Sequence, residues 1–378
     1  MTVWDDVVGQ ETAVATLQGA VANPAAMTHA WLVTGPPGSG RSVAARAFAA
    51  ALQCPQGGCG VCQACTTTMA GTHPDVTLLA TEKVVITIDE VRDLIMTASR
   101  SPSGGRWRVI IIEDADRMAE RTTNVLLKTI EEPPPHTVWV LCAPSVQDVL
   151  PTIRSRCRGV VLRVPPPQAV ADLLVRRDGA DPATALSAAR AAQSHVGLAK
   201  RLARDAGARE RRTAVLSIAR RIRGVGDAVL AAGELVDVAK AEATSATQER
   251  DAAEKAELLR TLGVADGETL PPRLRSQLKQ LEDDQKRRAT RHQRDVLDRA
   301  MVDLLSLYRD VLVVQLGADV ELVNAELAET VRSLAADSTP EQTVRRMDAI
   351  GVARTRLGGN VAPLLALEAM AIALRPQG

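Results

Sequence analysis

The stretch "THAWLVTGPPGSGRSVAARAFAAAL" (28–52) constrains the fold more than any other part of this chain. An apolar run enters a Gly-rich turn and then an alanine-rich segment, the strand, loop and helix order of a phosphate-binding loop. Such a loop calls for a sheet to hold its strand and a helix that packs back on that sheet. Backbone N–H groups from Gly38 to Ser42 would face a triphosphate at the helix N-terminus. The candidate ATP contacts are therefore Gly35, Gly38, Ser39, Gly40, Arg41 and Ser42, with Ser42 placed to hold Mg2+. One residue departs from the pattern, since Arg41 stands where a lysine is usual. Lysine brings a compact charge between the phosphates, whereas guanidinium is broad, planar and longer. Either Arg41 still serves a nucleotide, or the loop keeps its shape only for strand–helix packing.

Short β-rich runs recur at 31–35 (WLVTG), 109–112 (VIII) and 138–143 (VWVLCA), alternating with helical stretches. This predicts an α/β domain with a parallel sheet over 1–165. Pro165, Pro166 and Pro167 then break the chain. Residues 168–205 read as short Ala- and Leu-rich helices with a turn at Asp178 and Gly179, giving a small helical domain over 166–205. From 206 to 378 the pattern is all-helical. Within it, 234–260 and 273–300 are rich in Ala, Glu, Lys, Arg and Gln and flank the turn GVADGETLPP (263–272), predicting a helical-hairpin insertion at about 234–300.

Composition narrows the function. With 46% hydrophobic and 24% charged residues the chain can build real cores, made mostly of Leu, Val, Ile and Ala. A net charge of +1 gives no global case for nucleic-acid binding, and one Phe, one Tyr and four Trp provide no stacking platform for single-stranded bases. The run KRRATRHQR (286–294) is either a local contact for DNA phosphates or a solvated helix face. No apolar run reaches the ~18 residues of a membrane span, and the acidic start MTVWDDVVGQE is unlike a signal peptide, so a cytoplasmic location is expected.

Four of the six cysteines, Cys54, Cys59, Cys62 and Cys65, fall within twelve residues. Two overlapping C-x2-C steps, with Gly57, Gly58 and Gly60 between the ligands, suit one tetrahedral Zn2+ held by thiolates, a structural site with no open position. A redox disulfide pair would need a thioredoxin-like context that is missing. His73 is not needed as a ligand. Downstream, "RVIIIEDADRM" (108–118) is a strand ending in acids. A nucleotide-hydrolysing site places Asp first, for the Mg2+ shell, and Glu second, to orient water. Here Glu113 precedes Asp114, which sets the second carboxylate about one methylene further from that water.

The segment "NVLLKTIEEPPPHTVWVLCAPSVQDVLPTIRSRC" (124–157) resembles the AAA+ clamp-loader subunits of bacterial replication. The resemblance takes in VVGQE (7–11), the phosphate loop, the cysteine cluster, THPDV (72–76), the acid strand, the triplet Ser155, Arg156, Cys157 and, more loosely, NVAPLLALEAMAIAL (360–374). It spans most of residues 1–205, and the hairpin segment lies outside it. The family implies an AAA+ domain with a zinc module at 54–65, a helical lid and a C-terminal helical collar. It also implies a ring with clamp-loader ATPase subunits of the gamma/tau kind and with delta, which loads a sliding clamp on primed DNA.

In that ring Arg156 resembles the arginine finger that serves a neighbour's ATP; the alternative is that Arg154, Arg156 and Arg158 form a solvated basic turn. The phosphate-sensing position at the end of VWVLCA falls near Ala143 and Pro144, which offer no donor. Lys200 stands where the family's ATPases carry a phosphate-directed arginine. Four altered features favour a stator and finger donor with weak or absent ATPase of its own. The alternatives are an active gamma/tau-like ATPase in which Arg41 still serves and, more distantly, an independent AAA+ remodelling enzyme. No acid pair outside the nucleotide site resembles a polymerase centre.

Overall fold

The computed structural model describes residues 2–81, 85–104, 106–261, 275–359 and 361–376. They fall into two compact units, Met1–Arg204 and Asp205–Gly378.

The first unit is built on strands β1 (Ala30–Thr34), β2 (Val76–Leu79), β3 (Arg108–Ile112), β4 (Thr137–Ala143) and β5 (Arg158–Val161), in the order β2-β3-β4-β1-β5. Every pairing is parallel, with Leu32 of β1 opposite Leu141 of β4 and Gly159 of β5. All residues of β1, β3 and β4 are buried. Strands covered on both faces read as unbroken apolar runs, which is why the sequence exposes these three so clearly.

On one face Trp31, Val33, Ile111 and Val140 pack with α1 (Glu11–Ala22) and α2 (Arg41–Gln53). Buried Ala44, Ala45, Ala47, Ala49, Ala50 and Ala51 let α2 lie close to the strands, and the Trp31 and Phe48 rings meet edge-on at 5.1 Å. On the other face Leu32, Ile110, Trp139 and Leu141 pack with α4 (Ile88–Ala98) and α5 (Glu120–Glu131). The remaining helices are α3 (Gln63–Ala70), the four-residue α6 (Pro151–Arg154), α7 (Pro167–Asp178), α8 (Pro182–Ala191) and α9 (Val196–Arg204). Helix α7 ends on Gly179, whose φ of +66° makes the expected turn.

Because all five strands run the same way, the segments after β1, β3 and β4 emerge at one end of the sheet. In open parallel sheets that carboxyl end is where ligands bind. It gathers the phosphate loop, Glu113–Asp114 and Ala143–Pro144.

The second unit comprises α10 (Ala206–Arg221), α11 (Val225–Thr261), α12 (Arg275–Gln315), α13 (Ala328–Ala336), α14 (Pro340–Gly358) and α15 (Pro363–Ala373). Helices α11 and α12, of 37 and 41 residues, pair antiparallel. At 1.5 Å per residue they are about 55 and 60 Å long. The helical arms run past the predicted 234–300 at both ends, and the GVADGETLPP turn lies outside the described residues.

At its base the hairpin buries Ala228, Ala232, Leu235, Leu304, Leu307 and Val311. Further out it is held by charge: Lys255 to Glu282 at 3.0 Å, and Arg288 to Asp251 at 2.8 Å and to Glu254 at 2.5 Å. Arg288, in the basic run considered for DNA, is thus engaged across the hairpin. Buried Arg212 donates to Asp303 at 2.9 Å and Asn324 at 2.5 Å, fixing the segment before α13. Among the described residues no helix is long and apolar enough to cross a membrane.

Candidate phosphate loop and metal centre

The loop after β1 has the glycine geometry that its sequence predicts. Gly40, at φ +90°, caps α2, and the Gly35 N–H donates to the Ala143 carbonyl at 3.3 Å. Gly38 has φ +85°, and a Cβ there would stand 2.6 Å from His195, so the position is closed to any side chain. Gln10 ties the loop to the end of the sheet: its amide donates to the Ser39 carbonyl at 3.3 Å and the Arg163 carbonyl at 2.6 Å. Its side-chain oxygen accepts from the Arg163 N–H at 3.0 Å. Ser39 is buried, and its hydroxyl has no hydrogen-bond partner among the described residues. Ser42 lies in the first turn of α2, half-buried. Arg41 turns back on its own loop, where Nη1 donates to the Gly35 carbonyl.

At the end of β3 the Glu113 N–H donates to Leu79, and its carboxylate faces Arg46 at 3.4 Å. Asp114 takes a left-handed backbone (φ +54°) that a non-glycine residue adopts at a cost, and its carboxylate lies 3.5 Å from Arg117. Asp116, two residues beyond Asp114, is a third acid at this end of the sheet that no motif marks. Burial raises its pKa, neighbouring Asp114 adds to the rise, and Arg117 and Arg41 oppose it. One of its oxygens is buried without a partner among the described residues. Its spacing from Asp114 was the available signal. Below them Cys142 is fully buried, which pushes its thiol up to about 12 and keeps it neutral.

The helical segment meets the loop through a residue other than the expected one. His195, whose Nδ1 accepts the Leu198 N–H at 3.3 Å, lies against Gly38. The Lys200 ammonium is instead 3.1 Å from Asp178, which also takes Arg177 at 3.0 Å and Arg204 at 3.1 Å. Arg156 follows α6 and is exposed: Nη1 donates to the Thr152 carbonyl at 2.7 Å and the Ser155 hydroxyl at 3.2 Å, while Nη2 reaches Glu131 at 2.6 Å. Burial raises the next residue, Cys157, to about 12, in line with packing rather than reactivity.

The sulfur atoms of Cys54, Cys59, Cys62 and Cys65 all lie within 4.8 Å of one another, Cys54 and Cys62 at 3.7 Å. Tetrahedral Zn–S bonds of about 2.3 Å would space sulfurs about 3.8 Å apart, so this cluster fits a metal ion. Cys54 ends α2, and Cys62 and Cys65 open α3, so two helix termini fix three of the ligands. Gly58 makes the wrap possible: at φ +108° its hypothetical Cβ would stand 2.6 Å from Val3 and 3.1 Å from Trp4. Burial raises the Cys54 thiol, but N–H groups of Cys59, Gly58 and Gln56 outweigh it and bring it down to about 6. Cys65, lacking enough such donors, is pushed by burial up to about 12. The N-terminal segment seals the module, with the Val3 N–H donating to Gly58 at 3.1 Å and the Trp4 indole to Gly57 at 3.3 Å.

Residues 9–166 match the family described as "DNA polymerase III, delta subunit". The delta' subunit of DNA polymerase III from Pseudomonas aeruginosa is 36% identical over 194 residues, 50% of this chain and 59% of that one. Residues 9–166 are thus similar to subunits of DNA polymerase III. The gamma/tau subunit of Mycobacterium tuberculosis also matches, at 34% over 176 residues, 45% of this chain and 30% of that one. Both kinds of DNA polymerase III subunit are thus similar to this chain, which spans 59% or less of the length of these curated relatives. Among solved structures, a gamma-subunit-related protein from Thermotoga maritima aligns over 91% of this chain and 99% of that one, at TM-score 0.36 and 17% identity.

Proposed function

We propose that this chain is a delta prime subunit of a clamp loader: a stator that supplies Arg156 as an arginine finger to the ATP site of a neighbouring gamma/tau-type subunit. In this reading it works with delta and those ATPase subunits to load a sliding clamp on primed DNA, and turns over little ATP itself. The carrying observation is the contrast between two arginines. Arg41 turns inward to the Gly35 carbonyl of its own loop, whereas Arg156, though paired with Glu131, stands exposed beside α5 and α6. A guanidinium supplied in trans stabilises the charge that builds on a transferred phosphoryl group. The pairing of Lys200 with Asp178 and the order Glu113–Asp114 support the same reading. The helices at 166–205 then act as lid and those at 206–378 as collar.

Equilibrium binding of Mg-ATP to the purified chain, beside Arg41→Lys, tests this. The native chain is expected to bind at least about tenfold more weakly than Arg41→Lys, since lysine frees the loop for phosphate. Tight binding by the native chain would instead support the second reading, an active gamma/tau-like ATPase. That reading draws on the intact loop glycines and the unpartnered, buried Ser39 hydroxyl.

In the same proposal the four cysteines hold one structural Zn2+, whose chemistry is to lock four thiolates. Metal analysis of the purified chain should give about one zinc per chain. Finding no metal, with the cysteines paired as disulfides, would defeat that assignment.

A further inference from the structure

In the motif LLKTIEEPP two glutamates, Glu131 and Glu132, stand at the carboxyl end of α5, where the helix dipole disfavours negative charge and favours Lys or Arg. Pro133, Pro134 and Pro135 stop the helix there, so Glu131 stays in its last turn. Helix stability gives no reason for an acid at this place. The neighbours of Glu131 suggest one.

Ile130 is wholly buried, and so is Ile153 in α6; both belong to the same apolar cluster, against which Cys157 also packs. These anchors flank two polar residues in the sequence, Glu131 after Ile130 and Arg156 between Ile153 and Cys157. Anchoring the backbone on either side brings Glu131 Oε1 within 2.6 Å of Arg156 Nη2. Thr152 and Ser155 already hold Nη1 from below, at 2.7 Å and 3.2 Å. Arg156 is thus gripped at both terminal nitrogens. An exposed pair of this kind contributes little to folding stability, so its effect lies in the direction it gives the guanidinium. Arginine otherwise has several rotatable bonds and a large entropy to lose before it can act at a fixed point.

We propose that Glu131 is a positioning residue for Arg156: it holds the guanidinium preorganised for the phosphoryl group of a neighbouring subunit. The inference rests on the reading of Arg156 as a finger. Glu131 acts through Arg156 and does not itself face the phosphate. Preorganisation of this kind lowers the barrier of the reacting complex without changing how tightly substrate binds.

The test is steady-state ATPase kinetics of the loader reconstituted with the full chain, with size-exclusion chromatography to verify that each variant joins the complex. Arg156→Ala is expected to lower kcat at least about tenfold. Glu131→Ala should lower kcat about three- to tenfold with KM for ATP within about twofold, as expected for lost orientation. Glu131→Gln, which keeps an acceptor at the same reach, should retain at least about half of the native kcat. The decisive variant carries both alanines. If Glu131 acts only through Arg156, it is no slower than Arg156→Ala alone. Multiplying losses, or an unchanged kcat in Glu131→Ala beside a reduced one in Arg156→Ala, would overturn the positioning role while leaving the finger standing. An unchanged kcat in Arg156→Ala would remove the finger and the positioning role together.

Discussion

The parallel sheet and the α11–α12 hairpin are the two most regular parts of the molecule, and they are held by opposite means. In β1, β3 and β4 every residue is buried, and helices cover both faces. In the hairpin, apolar burial ends near Ala243 on one arm and Val296 on the other; among the described residues between them no apolar side chain is buried. Ion pairs take over from there. Burial of a large apolar side chain is worth about 1.5–3 kcal/mol, whereas exposed ion pairs are worth about 0–1 kcal/mol. Regular secondary structure therefore says little about local stability. The sheet should open only with its whole unit, and the outer hairpin should open locally.

The largest effect that would sharpen this contrast is at Trp139, wholly buried in the central strand β4. Trp139→Ala is expected to destabilise the first unit by about 3–5 kcal/mol in denaturant unfolding, with little dependence on salt. A loss under about 1 kcal/mol would break the comparison. In the hairpin, Arg288 is half-buried between Asp251 and Glu254, and Arg288→Ala should cost about 1–2 kcal/mol, less than Trp139→Ala. It should speed amide hydrogen exchange around Asp251 and Glu254 while leaving β3 and β4 protected.

The same pair sets the smallest effect, a pH response. Hydrogen bonds from Arg288 hold the Glu254 carboxyl at about 2, below its ordinary 4.5, and outweigh the opposing effect of burial. A carboxylate lowered on folding stabilises fully above its unfolded value, and that contribution fades as pH falls from about 4.5 toward 2. Protection factors in the outer hairpin, corrected for the intrinsic pH dependence of amide exchange, should fall over that window in the native chain and stay flatter in Arg288→Ala.

Legibility in the sequence followed the same division. The runs at 31–35, 109–112 and 138–143 fall almost on β1, β3 and β4, because doubly covered strands leave unbroken apolar runs. The flanking strands β2 and β5 are four residues each, and β5 buries only Val160, so no such run marks them. Cysteine spacing disclosed the four-sulfur cluster, since the geometry of such a cluster is local. The pairings of Arg41 with Gly35, Lys200 with Asp178 and Arg156 with Glu131 could not be read in advance. A sequence lists charges but not which partner each one reaches. His195 carried no signal of its own; only the close packing of its segment on Gly38 reveals it.

The bonds of Gln10 have a consequence for biogenesis. Its partner Arg163 follows it by 153 residues, so Gln10 cannot complete these bonds until long after it has itself been synthesised. At about 5–20 residues per second that wait lasts about 8–30 s. The cysteine module, whose ligands span only residues 54–65, can close long before then. It gives the nascent chain an early folded point, against which Val3 and Trp4 can already rest.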